Sequence, residues 1–383
     1  MSKLAISGGN IIQIASSSPV LKGTANTSGD ATDVYVSGKY AYVADDTAGL
    51  QIVDISNPAA PVVEGTYNTA GNASDVHVSG KYAYVVDGGS GLHIIDVSNP
   101  TVPVLVGTYN PDSFISGVYI SGKYAYITDN ILGLQIIDIS NPVSPSLVGT
   151  YDTSGIALGV YVSGKYAYVA DHTSGLHVVD VSNPASPSLM GTYNTSGSAY
   201  GVYVSGKYAY VADDTSGLQI VDVSNPASPS FVGTLDTAGN SFEVYVSGKY
   251  AYVADASPGV HVVDISNPAS PRLVGTYVAG VAGQSVHVAG KYAYVADGAD
   301  GLRVVDINGL ETPALYAGNI ETNVLNATEN INAGGDIYAG GGLNVGISGI
   351  FSRGVIASYV ASTTAANPIS ATFMGGNVGV GTT

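Results

Sequence analysis

The 383-residue sequence predicts an all-β chain built mainly as a seven-bladed β-propeller, and three observations carry that prediction. The string GKYAY occurs seven times, with its lysine at Lys39, Lys81, Lys123, Lys165, Lys207, Lys249 and Lys291, always 42 residues apart. Each repeat contains four extended runs separated by turn residues, and no run has the 3.6-residue periodicity of a helix. The last repeat stops after its third run, and a copy of the missing fourth run lies near the amino terminus. A period in the low forties with four short strands per unit is the size of one propeller blade.

The unit that begins at Asp33 shows the elements in order. DVYV ends in Ser-Gly-Lys, YAYVAD ends in a Gly-closed turn, LQIVDIS is followed by Asn-Pro-x-x-Pro, and VVEGTY is followed by Thr-x-Gly. Several runs are apolar on both faces, as expected of blades sandwiched between blades. The seventh unit ends at Ile307, whereas SPVLKGTANTSG at 18–29 aligns with VPVLVGTYN at 102–110. The amino-terminal segment is therefore expected to supply the outer strand of the last blade and close the ring across residues 18–307. Residues 1–17 are read as an amino-terminal β segment available between subunits, and 308–383 as a Gly-rich β-strand tail.

The third-strand strings LQIVDISNP, LHIIDVSNP, LHVVDVSNP and LQIVDVSNP resemble the LVIVD-repeat family, and all seven units carry the pattern. The resemblance implies a propeller and a surface location, and it implies no activity. The carboxyl-terminal segment, closing in GGNVGVGTT, is similar to stalk sequences of bacterial and phage fibre proteins. Thr383 falls in mid-motif, so the fibre-like sequence is expected to continue beyond it.

Composition removes several function classes. The absence of Cys excludes disulfide scaffolds, thiolate metal sites and cysteine nucleophiles. With 12 Lys plus Arg against 29 Asp plus Glu, the net charge of −17 opposes a phosphate backbone, so nucleic acid is not an expected partner. No run approaches the roughly 18 apolar residues of a membrane span. The amino-terminal LAISGGNIIQIA is interrupted by Gly-Gly-Asn and makes a poor signal-peptide core.

Two aspartates recur in every repeat. Asp45, Asp87, Asp129, Asp171, Asp213, Asp255 and Asp297 end the second run, and Asp54, Asp96, Asp138, Asp180, Asp222, Asp264 and Asp306 lie in the third. Both sets are expected to accept backbone N–H bonds in adjoining turns, because their spacing lacks the dense carboxylates of a calcium loop. The seven GKYAY lysines are read as solvated turn residues on one face of the disc. Tyr40 and Tyr42 share a strand face and are assigned to interblade packing. His77, His93, His177, His261 and His287 are register-matched substitutions in separate repeats and form no metal cluster. No Ser-His-Asp constellation stands apart from the repeat, and no Trp supports a sialidase-type site, so the chain is not expected to be an enzyme. No catalytic residue, cofactor or metal ligand is assigned.

Between near-identical blades, divergence marks surface that the fold does not dictate. The loops after the second run and those leading into each blade share one face of the disc and vary most. Apolar residues stand there where polar turns are expected: Phe114, Ile115, Ile131, Leu132, Ile156, Leu158, Tyr200 and Phe242. They are the candidate binding residues, with a lid over the central channel as the structural alternative. Asn26, Asn72, Asn194 and Asn326 match the N-x-Ser/Thr glycosylation pattern. The favoured expectation is a non-enzymatic extracellular or cell-surface structural protein, a fibre or filament subunit self-associating through its terminal β segments. The alternative is an adhesin or lectin-like module whose variable loops hold a glycan or a surface protein.

Overall fold

A computed structural model describes residues 5–7, 10–12, 19–111 and 113–307. It contains seven four-stranded antiparallel sheets and one two-stranded ladder, with no helix among the described residues. The ladder joins β1 (Ala5–Ser7) to β2 (Asn10–Ile12) and belongs to none of the blades. Each blade runs from strand A at the axis to strand D at the rim. Blade 1 is typical: Asp33–Ser37, Tyr40–Ala44, Leu50–Asp54 and Val62–Tyr67, paired in sequence order.

Local chemistry sets each hairpin. Strands A and B are joined by two residues, Gly38-Lys39 in blade 1, and the glycine at this position has φ between 59° and 61° in all seven blades. A positive φ confined to the first loop residue is the type II′ arrangement, whose twist matches that of the flanking strands. The longer C–D turn, Asn57 to Ala60, is closed by the Ala60 N–H donating to the Asn57 carbonyl at 2.9 Å.

Strands B and C of blade 1 are buried except at Tyr40, which opens strand B, and Asp54, which ends strand C, since each blade is covered on both faces by its neighbours. The core is accordingly seven separate clusters, each bridging two blades. One joins Tyr42, Leu50 and Ile52 of blade 1 to Val76, Val85 and Ile95 of blade 2. Such clusters account for Tyr42 as interblade packing, with Tyr40 half-buried against the same cluster.

Ring closure follows the sequence expectation. β3 (Val20–Ala25) pairs antiparallel with strand C of blade 7 (Leu302–Asp306), outside strands A (Ser285–Ala289) and B (Tyr292–Ala296). Ala25 of β3 joins Leu302 and Val304 of blade 7 and Val34, Val43 and Val53 of blade 1 in the cluster at the closure seam. The first and last parts of the described ring are thereby held by backbone pairing as well as by apolar burial. The expected tail at 308–383, its fibre-like sequence and Asn326 lie outside the described residues.

Candidate functional site

The two ends of the disc differ in kind. The end formed by A–B and C–D turns repeats one polar device. In blade 1 the Lys39 Nζ lies 3.0 Å from Asp54 Oδ2 and 4.8 Å from the Tyr40 ring centre, while Asp54 Oδ1 accepts the Ser56 N–H at 2.8 Å. Comparable ion pairs join Lys81–Asp96, Lys123–Asp138, Lys165–Asp180 and Lys207–Asp222, and all seven lysines lie over a tyrosine ring. The Ser56 hydroxyl and N–H, with the Lys39 ammonium, hold the Asp54 carboxyl down at about 2. The lysines are partnered within their own blades, which fits the structural reading of this face. Exposed pairs contribute little. Lys123→Ala is therefore expected to leave the melting temperature within about 2 °C of the parent in a thermal scan.

The Asp that ends strand B is fully buried in every blade and mostly works at a distance. Asp45 accepts the Gly29 N–H at 2.8 Å and the Thr27 hydroxyl at 2.5 Å, and Asp213 accepts the Gly197 N–H at 2.8 Å and the Thr195 hydroxyl at 2.5 Å. Each donor belongs to the loop that enters that blade, 16 to 18 residues earlier. Asp297 likewise holds the N–H groups of Gly280, Val281 and Ala282. The set pins the variable loops to the invariant blades. Asp129 combines this with the adjoining-turn bonds expected from sequence, to the Ile131 and Leu132 N–H groups at 2.9 Å, with Ser113 donating from the entering loop.

The axis carries a feature that sequence inspection passes over. Tyr35, His77, Tyr119, Tyr161, Tyr203, Tyr245 and His287, one from each strand A, form a closed annulus with neighbouring ring centres 4.6 to 5.1 Å apart. Burial, together with tyrosine neighbours, pushes the Tyr161, Tyr203 and Tyr245 hydroxyls up to about 12. Burial pushes His77 and His287 down to about 4, so both are neutral at physiological pH.

Two residues earlier in each strand A stands a second ring position, occupied by Asp33, Asp75, Gly117, Gly159, Gly201, Glu243 and Ser285. Its polar members come from four consecutive blades that include the closure seam. Ser285 Oγ donates to Asp33 Oδ1 at 2.5 Å; Asp33 Oδ2 accepts the Val76 N–H of blade 2 at 2.9 Å, and Asp75 Oδ2 the Val118 N–H of blade 3 at 2.7 Å. Asp33, Asp75 and Glu243 keep partial contact with the channel although protein surrounds them. Desolvation, then the charge of Asp33 and a carboxyl–carboxyl hydrogen bond with it, raises Asp75 well above the usual carboxylate range. Desolvation and Asp33 push Glu243 up to about 8. The signal in the sequence is the Asp/Gly/Glu/Ser variation at one position of otherwise repeated strands.

The residue before this position faces the variable end, and here Leu158, Tyr200 and Phe242 follow one another in blades 4, 5 and 6. The Tyr200 and Phe242 rings meet edge-to-face at 5.4 Å and the His172 and Tyr200 rings likewise at 5.7 Å, giving an aromatic row beside the mouth of the channel. All three of Leu158, Tyr200 and Phe242 are half-buried. Phe114, Ile131 and Leu132 form a separate exposed group at blade 3, where the Phe114 carbonyl accepts the Asn130 N–H at 3.0 Å, and Ile156 is exposed at blade 4. Ile115 does not belong with them: it is fully buried in the cluster between blades 2 and 3, because it opens strand A with its side chain towards Val86 and Ile127. Asn26, Asn72 and Asn194 are exposed. Among the described residues no group of three or more His, Asp or Glu is arranged to hold a metal.

A family model described as the LVIVD repeat matches residues 28–69, 70–111, 115–153, 154–195, 196–237, 238–279 and 280–317. No curated protein matches the chain. Among solved structures, the β-propeller domain of Cps50 (Swd1) from Myceliophteria thermophila is 12% identical with a TM-score of 0.64, covering 76% of this chain and all of that one. The WD40 repeats of RRP9 are 12% identical with a TM-score of 0.60, covering 76% and 98%. A computationally designed protein, Ika8, is 7% identical with a TM-score of 0.54, covering 76% and 100%. At these identities the likeness is one of fold.

Proposed function

The chain belongs to the LVIVD-repeat family, and from that premise we propose that it is a non-enzymatic binding module that engages a surface glycan or protein through the variable end of its propeller. One observation carries this reading. Near-identical blades diverge at a single end of the disc, and there the divergence gathers an aromatic row of His172, Tyr200 and Phe242 beside a channel mouth edged by Asp33, Asp75 and Glu243. Aromatic faces next to carboxyl groups suit ligands with both apolar and hydrogen-donating surface, such as sugar rings or basic, aromatic peptide segments. The loops that carry them are pinned by buried aspartates, so little ordering is required on binding.

The test is a glycan and extracellular-protein array probed with the full chain, the Tyr200→Ala/Phe242→Ala double variant and Lys123→Ala. The expected result is at least one ligand whose affinity falls about tenfold or more in the double variant and is unchanged in Lys123→Ala. Binding that ignores both substitutions, or no binding at all, overturns the reading.

A second reading, a structural subunit of an extracellular fibre or filament, is favoured by the β1–β2 ladder, which is paired strand outside the seven blades. Negative-stain electron microscopy separates the two readings. Regular filaments that vanish when residues 1–17 are removed support the second, and isolated discs support the first.

A further inference from the structure

We propose that blade 2 holds an internal water bound by Thr69, Asp87 and His93, at a corner that blades 1, 3, 5 and 7 close with direct side-chain bonds. Among the described residues, seven buried side-chain nitrogen and oxygen atoms lack a protein partner, and four of them belong to this trio: Thr69 Oγ1, Asp87 Oδ1 and both ring nitrogens of His93. The three residues are 3%, 0% and 7% exposed, so bulk solvent does not serve them. His93 lies close enough to Asp87 to feel its charge, and the Ser90 backbone approaches the ring short of a full hydrogen bond. The remaining unpartnered atoms lie at the same corner of blades 4 and 6, on Asp171, His177 and His261.

The other blades show what blade 2 lacks. In blades 1, 4 and 5 the hydroxyls equivalent to Thr69, those of Thr27, Thr153 and Thr195, donate to Asp45, Asp171 and Asp213 at 2.5 to 2.6 Å. Opposite them stands the residue three before the last Asp of strand C. There Gln135 Nε2 donates to Asp129 at 2.8 Å and Arg303 Nε to Asp297 at 3.1 Å, while Gln51 and Gln219 donate to the Ala48 and Ser216 carbonyls. A histidine is shorter: His177 Nε2 stays 3.5 Å from Asp171 Oδ2, and His261 Nε2 3.9 Å from Asp255 Oδ2. Blade 2 has the short side chain and lacks the threonine bond as well. In blades 1, 4 and 5 the residue after the Asp, Asp46, His172 or Asp214, turns out of strand B at a φ of 44° to 50°. In blade 2 the ladder instead runs on to pair Asp87 with Gly91. The Asp87 carboxyl there keeps the Gly71 N–H at 3.0 Å but not the Thr69 hydroxyl.

The atoms left over select the occupant. Burial lowers His93, so its ring is neutral and carries one N–H and one bare nitrogen. A water accepts from the Thr69 hydroxyl, donates to Asp87 Oδ1 and gives its second proton to the bare His93 nitrogen, which leaves the ring N–H to the Ser90 carbonyl. Three partners are the usual complement of a buried water. A metal ion would find one carboxyl and one imidazole, fewer ligands than it needs, and an anion would face Asp87.

High-resolution crystallography of the full chain and of His93→Gln tests this. In the parent, a single peak is expected within about 3 Å of Thr69 Oγ1, Asp87 Oδ1 and one His93 nitrogen, with no counterpart between Thr27 and Asp45. In His93→Gln the longer amide is expected to reach Asp87 as Gln135 reaches Asp129, and the peak is lost. A parent with Thr69 bonded directly to Asp87 and no peak overturns the proposal. So does a peak about 2.4 Å from its partners, the mark of a cation, or one that persists unchanged in His93→Gln.

Discussion

Gly65→Ala is expected to destabilise the propeller by about 2–3 kcal/mol, seen as a fall in melting temperature of roughly 6 °C. Gly65 lies in strand D of blade 1 with its α-carbon against the Pro100 carbonyl of blade 2, and the nearest atoms to an added Cβ are all backbone. A backbone obstacle cannot rotate away, so either the strand or the turn must move; the strand is held in its ladder with strand C and the turn is closed by the Val102 N–H donating to the Asn99 carbonyl at 3.0 Å. Gly89 supplies the control: it lies in the loop between strands B and C of blade 2, and a Cβ there meets nothing within 4 Å. Gly89→Ala should stay within about 0.5 kcal/mol of the parent. Equal effects at the two positions would show that the outer strands are not seated as described.

Stability is expected to fall between pH 6.5 and 8, with Glu243 as a main cause. Glu243 rises from an ordinary 4.5 to about 8 on folding, and Asp75 is also raised. Groups of this kind stabilise the fold fully below their unfolded value and lose that contribution as pH climbs to the folded one. His77 and His287 drop from 6.5 to about 4 and act in the opposite sense, adding stability as pH rises from 4 to 6.5. His93, His177 and His261, also lowered by burial, act in the same sense as His77 and His287, and Asp45 and Asp213, also raised by burial, in the same sense as Glu243. Above pH 6.5 only the carboxyl contribution continues, and Glu243 carries it to about 8. Allowing for channel water, the fall should be about 2 kcal/mol, or roughly 5 °C. Melting curves at pH 6.5 and 8 should separate for the parent and draw together in Glu243→Gln. A Glu243→Gln variant with the parent's pH dependence would remove the carboxyl arc as its origin.

Much of the fold is legible in the sequence because its determinants are local. Gly-Lys between two apolar runs makes a hairpin wherever it sits, and the 42-residue spacing counts the blades without reference to any contact. Even closure can be read, since an outer strand missing at Ile307 and present at Val20 is a statement about strings. The candidate site is legible only in part. Its location at the variable end follows from divergence between copies, but the loop neighbours of Ile115 point it to that surface when strand A in fact turns it into the core.

What the sequence by itself determined is the blade, its number and its order, all consequences of short-range pairing and of apolar runs covered on both sides. What only the tertiary structure decided is everything that joins residues about 42 positions apart. Tyr35 and His77 become an aromatic pair, and Asp33 and Asp75 hydrogen-bonded neighbours, because strands A from adjacent blades meet at the axis. Their periodicity is visible in the chain, but the sign of the interaction is not. A carboxyl is solvated and harmless on a rim, and costly and proton-binding where, as with Asp33, Asp75 and Glu243, several converge on one channel.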